Sequence, residues 1–379
     1  MKKKIIFLTG TRADYGKIKS LMRGLTENQE FELFLFVTGM HMLSLYGSTW
    51  REIEKDGFKN VYHFINQSKN TPMDLALSNT IAGLSNYILE IEPDLIVVHG
   101  DRLEALAGAI VGAFNNIRIA HIEGGEVSGT IDESIRHAIT KFSHIHLVSN
   151  EESKKRIIQL GESPENIFEI GSPDIDIMYS NNLPSLKEVK KRYDINFKQY
   201  SIVMYHPVTT NYGDLSKNIK ILMDSLIESN RNYILIYPNN DLGSDVIIGE
   251  YKKFEENSRF LVYPSIRFEY FLTLLKHADF IIGNSSVGIR ESIVYGVPSI
   301  DIGIRQTGRY KIEDHPLIKH VEHDKVQIIE EIYKLPKTRD VFKSEYGNGD
   351  SAVKFLEVLL KGGIWNIDIQ KKFTDLKVK

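Results

Sequence analysis

Short runs of β-branched and aromatic residues alternate with helical patterns along nearly the whole chain, and this alternation limits the fold more than any other feature of the sequence. Lys4–Thr9, Phe31–Val37, Asp94–His99, Ile117–Ile122 and Ile145–Val148 read as buried strands. Between the second and third of these, Leu77, Ile81, Leu84, Ile88 and Ile91 fall on one face of a helix, at spacings of four, three, four and three, and Pro93 ends it. A βαβ rhythm of this kind predicts a parallel sheet covered on both faces by helices. The rhythm pauses near Gly171-Ser172-Pro173 and again around Asn181-Asn182-Leu183-Pro184-Ser185, then restarts at Ser201–Tyr205, Tyr233–Tyr237, Asp279–Ile282 and Pro298–Ile302. A chain of 379 residues exceeds one ordinary core. The expectation is therefore two Rossmann-like α/β domains, 1–175 and 176–362, repeated in architecture but not in sequence. The last segment, 363–379, carries Trp365, Ile367, Ile369 and Phe373 and is expected to pack back onto the first domain. Ligands of open α/β sheets bind beyond the carboxyl ends of the strands, so two facing sheets predict a site in the cleft between them.

Charge and cysteine content narrow the function classes. Forty-seven basic residues stand against fifty acidic ones, a formal charge of −3, with neither sign in a long block. Nucleic acid and membrane surfaces are accordingly not expected as partners. Cysteine is absent, which rules out a disulfide, a thiol nucleophile and Cys-ligated metal, and fits the cytoplasm. Met1-Lys2-Lys3-Lys4 leads into only four apolar residues, and the turn that follows carries Arg12 and Asp14, so this segment reads as a first strand and not as a leader. The apolar run from Leu103 to Phe114 is broken by Glu104 and is too short to span a bilayer.

The chemistry-bearing residues follow the strands. The first strand ends in Gly10-Thr11-Arg12-Ala13-Asp14-Tyr15-Gly16-Lys17. Its spacing is neither a P-loop nor GxGxxG. A simple β–α turn and an anion site using Arg12 and Lys17 both remain open on local sequence. His99-Gly100-Asp101-Arg102 and His121-Ile122-Glu123-Gly124-Gly125-Glu126 follow two later strands, and Asp132 opens a helix soon after. One such acidic residue is usually a helix cap. Three on loops of one sheet edge suggest carboxylates titrating unequally, an acid and a base in one site. A carboxylate–histidine metal cluster with His99 and His121 is the rival reading, disfavoured because no spacing such as HExxH is present. In the second half His206 follows the first strand, and Gly283-Asn284-Ser285-Ser286-Val287-Gly288 follows another and is expected to open a helix whose N–H groups and hydroxyls approach a diphosphate. Glu291, inside that helix, is placed to reach ribose hydroxyls, and Arg305 adds a cation near the same edge; surface positions are the plainer reading of both.

Taken in order, the Gly10–Lys17 run, Val37-Thr38-Gly39-Met40-His41, His99-Gly100-Asp101-Arg102, His121–Glu126, Ile135-Arg136-His137, Gly283-Asn284-Ser285-Ser286 and Asp301-Ile302-Gly303 closely resemble the hydrolysing UDP-N-acetylglucosamine 2-epimerases of bacterial sialic acid synthesis, over nearly the whole chain. The resemblance implies the GT-B fold, UDP-N-acetylglucosamine as substrate, UDP as product, no cofactor, no metal, and a homodimer or homotetramer. It places acid/base carboxylates on Asp101, Glu123 and Asp132, and His206 is expected among the catalytic residues. It places nucleotide contacts on Arg12, Lys17, His206, Ser285, Ser286, Gly288, Glu291 and Arg305. Non-hydrolysing relatives usually carry Gln and a charged residue near positions 40 and 42, where a second sugar nucleotide binds. Met40 and Met42 stand here, so neither that site nor retention of UDP is expected. The close relatives acting on UDP-N,N′-diacetylbacillosamine, and more remotely a GT-B glycosyltransferase, are the alternatives. The implied chemistry expels UDP and the C2 proton to give 2-acetamidoglucal, then adds water with the proton delivered to the other face of C2. A cleft between domains would also close over that intermediate.

Overall fold

The computed structural model describes residues 2–128, 130–310, 315–336, 339 and 344–375. The chain forms two compact units: Met1–Glu126 with Asp132–Asn181 and Glu345–Lys379, and Val127–Ile131 with Asn182–Ser344.

The first unit holds β1 (Lys3–Thr9), β2 (Phe31–Val37), β3 (Asn60–His63), β4 (Leu95–His99), β5 (Arg118–Ile122), β6 (Ile145–Val148) and β7 (Ile167–Glu169). They pair in parallel in the order β3-β2-β1-β4-β5-β6-β7. In β1 the period of two sends Ile5 and Phe7 into one apolar cluster and Ile6 and Leu8 into the other, which is why the strand reads as an unbroken apolar run. The helix Met73–Ile91 covers the second cluster through Leu84 and Ile88 and stops at Glu92, left-handed at φ 50°, just before Pro93.

The second unit holds β8 (Ser201–Met204), β9 (Tyr233–Ile236), β10 (Phe260–Tyr263), β11 (Ile281–Gly283), β12 (Ser299–Ile302) and β13 (Ile318–Val321), parallel in the order β10-β9-β8-β11-β12-β13. In both sheets the chain winds outward from the first strand, then returns to its other side. The order therefore reverses between β1 and β4 and between β8 and β11, and the carboxyl ends of those pairs are the natural ligand positions.

The return of the C-terminus differs from the sequence expectation. It begins at Glu345, not at 363, because the helix Ser351–Leu360 belongs to the first unit. Phe355 meets Phe7 edge-on at 5.9 Å, Leu359 joins the same cluster, and the Asp176 carboxylate accepts from the backbone N–H groups of Ser351 and Ala352, capping the helix from outside. An amphipathic helix pattern does not reveal which core it serves. Beyond it Ile364 is buried, Arg118 donates to the carbonyl of Ile367, and His144 to that of Ile369. Phe373 is 88% exposed and takes no share in this packing, and residues 376–379 of the segment lie outside the described residues.

Candidate active site

At the reversal point of the first sheet, β1 runs into Gly10 and the helix Arg12–Thr26, capped by the Thr11 hydroxyl, which accepts from the Asp14 N–H. Gly10 is required for space: a Cβ there would sit 2.7 Å from the carboxyl carbon of Glu104, which lies buried under the turn. The Asp14 carboxylate closes the turn by accepting from the Thr9 hydroxyl and the Gly10 N–H, each at 2.9 Å. Arg12 pairs with Glu52 at 2.7 Å, and its Nε and Nη1 are buried with no hydrogen-bond partner among the described residues, an arrangement that suits an anion. Lys17 pairs with the buried carboxylate of Asp174 at 2.9 Å.

Asp101 and Glu123 stand past the ends of the adjacent strands β4 and β5, and each is braced by a cation. Asp101 accepts from the buried guanidinium of Arg136, which also holds the carbonyl of Glu126 at 3.1 Å. Glu123 is 5% exposed and adopts φ +61°, the left-handed region that a non-glycine residue occupies at a cost. One of its oxygens accepts from the Ser172 hydroxyl, and the other lies 3.2 Å from His99 Nε2, an ion pair and not a linear hydrogen bond. His99 Nδ1 meets Asp14 at 3.2 Å. Burial alone would lower the His99 pKa; the Glu123 and Asp14 carboxylates outweigh it and hold the ring at about 10, hence as the imidazolium. Asp132 is half-buried in the first turn of the helix Ile131–Phe142.

The other two histidines of this region are neutral. His121 gives its Nε2–H to the Gly100 carbonyl at 2.8 Å and meets Thr140 through Nδ1; burial lowers its pKa to about 3. His41 bridges Thr9 and Thr49, and burial brings it to about 4. His99 thus faces a carboxylate at each ring nitrogen, and His121 meets the Gly100 carbonyl and the Thr140 hydroxyl.

In the second unit Asn284 joins the two strand ends at the reversal point: its Oδ1 accepts from the His206 N–H at 2.7 Å, and its Nδ2 donates to the His206 carbonyl at 2.8 Å. The Asn239 N–H donates to His206 Nδ1 at 3.3 Å, leaving the ring proton on Nε2. Arg305 and Gln306 both donate to the Asn284 carbonyl, at 3.1 and 2.7 Å, so His206, Ser285 and Arg305 come together at one sheet edge. Gly283 has φ +140° and passes so close to β8 that a Cβ would meet the Met204 carbonyl. The helix expected after it is not one: Ser285 caps a short 3-10 turn, Ser286–Gly288, and Glu291 begins a separate four-residue helix, Glu291–Val294. A helix dipole contributes little at such a turn; hydroxyls and local N–H groups are what it offers. Gly288 lies over Ser299, with no room for a Cβ, and Glu291 is 1% exposed, not the surface residue of its plainer reading.

Sequence reasoning gave no role to Asp14, Arg136, Ser172, Asn284 or Gln306, and considered His99 only as a metal ligand. Asp14, His99, Arg136 and Asn284 lie inside the runs that carry the resemblance; Ser172 stood only in the pause between halves, where nothing local marks it.

A family profile described as UDP-N-acetylglucosamine 2-epimerase matches residues 23–360. The chain belongs to the UDP-N-acetylglucosamine 2-epimerase family. It is 46% identical to the UDP-N-acetylglucosamine 2-epimerase of Neisseria meningitidis serogroup B, over 99% of this chain and 100% of that one. It is 30% identical to the UDP-N,N′-diacetylbacillosamine 2-epimerase (hydrolyzing) of Legionella pneumophila, over 95% of this chain and 96% of that one. Among solved structures it superposes on the UDP-GlcNAc 2-epimerase of Methanocaldococcus jannaschii, crystallised with UDP-GlcNAc and UDP, at a TM-score of 0.79 and 20% identity, covering 95% of this chain and 100% of that chain. The two parallel sheets are thus those of a GT-B-like epimerase fold, and the chain is an enzyme of this family.

Proposed function

We propose that this epimerase hydrolyses UDP-N-acetylglucosamine to N-acetylmannosamine and UDP, inverting C2, in the cytoplasm and for sialic acid synthesis. The observation that carries the reading is the pair of braced carboxylates, Asp101 and Glu123, at the ends of neighbouring strands. The end-to-end likeness to the Neisseria enzyme supports the choice of sugar.

The C2 hydrogen has no adjacent carbonyl to acidify it, so UDP departs first. The C1–O bond breaks with its electrons going to the diphosphate, positive charge develops at C1, and a carboxylate removes the C2 proton, leaving 2-acetamidoglucal. Hydration returns a proton to the opposite face of C2 and a water oxygen to C1. Removal and return on opposite faces require two titrating groups. Asp101 is assigned to the first step; Glu123 and Asp132 are assigned to the second. Departure of UDP needs fixed positive potential, which Arg12 in the first unit and Arg305 in the second are assigned to supply, while the His206 Nε2–H is assigned to donate a hydrogen bond to the diphosphate. Ser285, Ser286, Gly288 and Glu291 are assigned to the nucleotide. Lys17, which pairs with Asp174, is assigned to the nucleotide from the first unit. A homodimer or homotetramer completes the reading, and light scattering reads it.

The test is a product analysis with no acceptor sugar present, offering UDP-N-acetylglucosamine and UDP-N,N′-diacetylbacillosamine separately and identifying the released sugar by NMR. N-acetylmannosamine from the first, with little turnover of the second, is expected. The reverse preference would reassign the substrate, and UDP release only on adding an acceptor would indicate a glycosyltransferase.

A further inference from the structure

His99 lies between two carboxylates from different parts of the first sheet. Its Nδ1 is 3.2 Å from Asp14, on the first turn of the helix that also carries Arg12, and its Nε2 is 3.2 Å from Glu123, past the end of β5. We propose that His99 is a positioning residue: as a bridge between Asp14 and Glu123 it fixes the Glu123 carboxylate against the β1 turn for its step in the reaction. The inference rests on the catalytic assignment of Glu123 made above.

The geometry leaves little choice of protonation state. A carboxylate only accepts, so the nitrogen facing each one must bear hydrogen; a neutral imidazole has one N–H, and its lone pair would face an anionic oxygen. The ring is therefore cationic, and three charged groups, two negative and one positive, are held together in the interior. The remaining oxygens are occupied: Ser172 donates to the other Glu123 oxygen, while the Thr9 hydroxyl and the Gly10 N–H donate to the other Asp14 oxygen. The nearby histidines His41 and His121 are neutral and do not compete as cations. The His99 ring thus faces two anions, and one of them, Asp14, is locked by backbone and hydroxyl donors to the turn. Glu123 inherits that rigidity through His99. Its left-handed backbone needs such bracing, since that conformation persists only where the surroundings impose it. Buried groups coupled this closely act as a unit, and removing either member should forfeit most of what both contribute.

A double-mutant cycle tests this. Glu123→Gln, His99→Gln and the double variant are compared for kcat, KM and release of 2-acetamidoglucal. The expectation is that His99→Gln lowers kcat by roughly 10²-fold with KM nearly unchanged, that it releases glycal as Glu123→Gln does, and that the double variant is no slower than Glu123→Gln alone. Multiplying losses, or a His99→Gln enzyme as fast as wild type, would overturn the bridging role while leaving Glu123 in place. A Glu123→Gln enzyme of wild-type speed would instead remove the catalytic assignment beneath it. If His99→Gln fails to fold, 15N-histidine-labelled wild type and Glu123→Gln answer the same question: one histidine doubly protonated at pH 8.5 in the wild type should shift in Glu123→Gln. No such imidazolium, or one indifferent to Glu123, would contradict the proposal.

Discussion

Asp101 and Glu123 end neighbouring strands but are held differently. Asp101 meets a guanidinium fixed by a backbone carbonyl and keeps about a quarter of its side chain open to solvent; Glu123 is buried between a hydroxyl and an imidazolium. A group that must exchange a proton with substrate gains from access, which favours Asp101 for C2 deprotonation. Asp101→Asn keeps the shape and removes the proton-accepting form. It should lower kcat by about 10²–10⁴-fold while the affinity for UDP, measured by calorimetry, stays close to wild type. Wild-type rates would exclude it from the mechanism. Glu291→Ala should do the converse. This carboxylate is buried in the second unit, and losing a charged hydrogen-bonding group should weaken UDP binding by on the order of 1–3 kcal/mol. Unchanged UDP affinity would place the nucleotide elsewhere.

At the scale of elements, the strands that carry the site were legible because each is largely buried and rich in β-branched and other apolar residues: β1, β2, β4, β5 and β6 fall within a residue of their expected bounds. The strand β3 escaped because it lies at the sheet edge, where Tyr62 is 40% exposed and the apolar run is lost; β7 has three residues, too few to show a period. The helix expected after β11 is instead a 3-10 turn, Ser286–Gly288, with Gly288 packed over Ser299. Contacts distant in sequence, such as Asp101 with Arg136 or Glu123 with Ser172, carry no local signal at all. The same holds for the C-terminal tail. Glu162 binds Lys371 at 2.6 Å, Lys141 at 2.7 Å and His146 at 3.1 Å, beside a groove of about 620 Å³ lined by the tail and away from the carboxyl ends of the strands. Burial alone would raise the Glu162 pKa; His146 and the two lysines overcome it and bring the group to about 2. Its folded value is depressed, so the stability it contributes is complete above the ordinary carboxylate range and is lost as pH falls toward 2. The amount is roughly 3 kcal/mol. Glu162→Gln should melt lower at pH 7 and lose less than wild type between pH 5 and 3. Parallel acid profiles in the two proteins would show that the cluster does not hold the tail.

For the molecule as a whole, each of the two parallel sheets presents its chemistry at its own reversal point, carboxylates with Arg12 on the first and small hydroxyls with Arg305 on the second. The proposed reaction moves one proton pair and one water and transfers no electrons. Among the described residues no three histidine, aspartate or glutamate side chains converge as ligands of a metal ion. The diphosphate is neutralised in this account by guanidinium groups, so activity should survive EDTA. Loss on chelation, restored by one divalent ion, would revive the metal reading. The most direct test of elimination followed by hydration is the fate of the C2 hydrogen. In D₂O the released N-acetylmannosamine should carry deuterium at C2, read by NMR as the sugar forms. A C2 position that keeps its original hydrogen would contradict proton removal there, and with it the roles assigned to Asp101, Glu123 and Asp132.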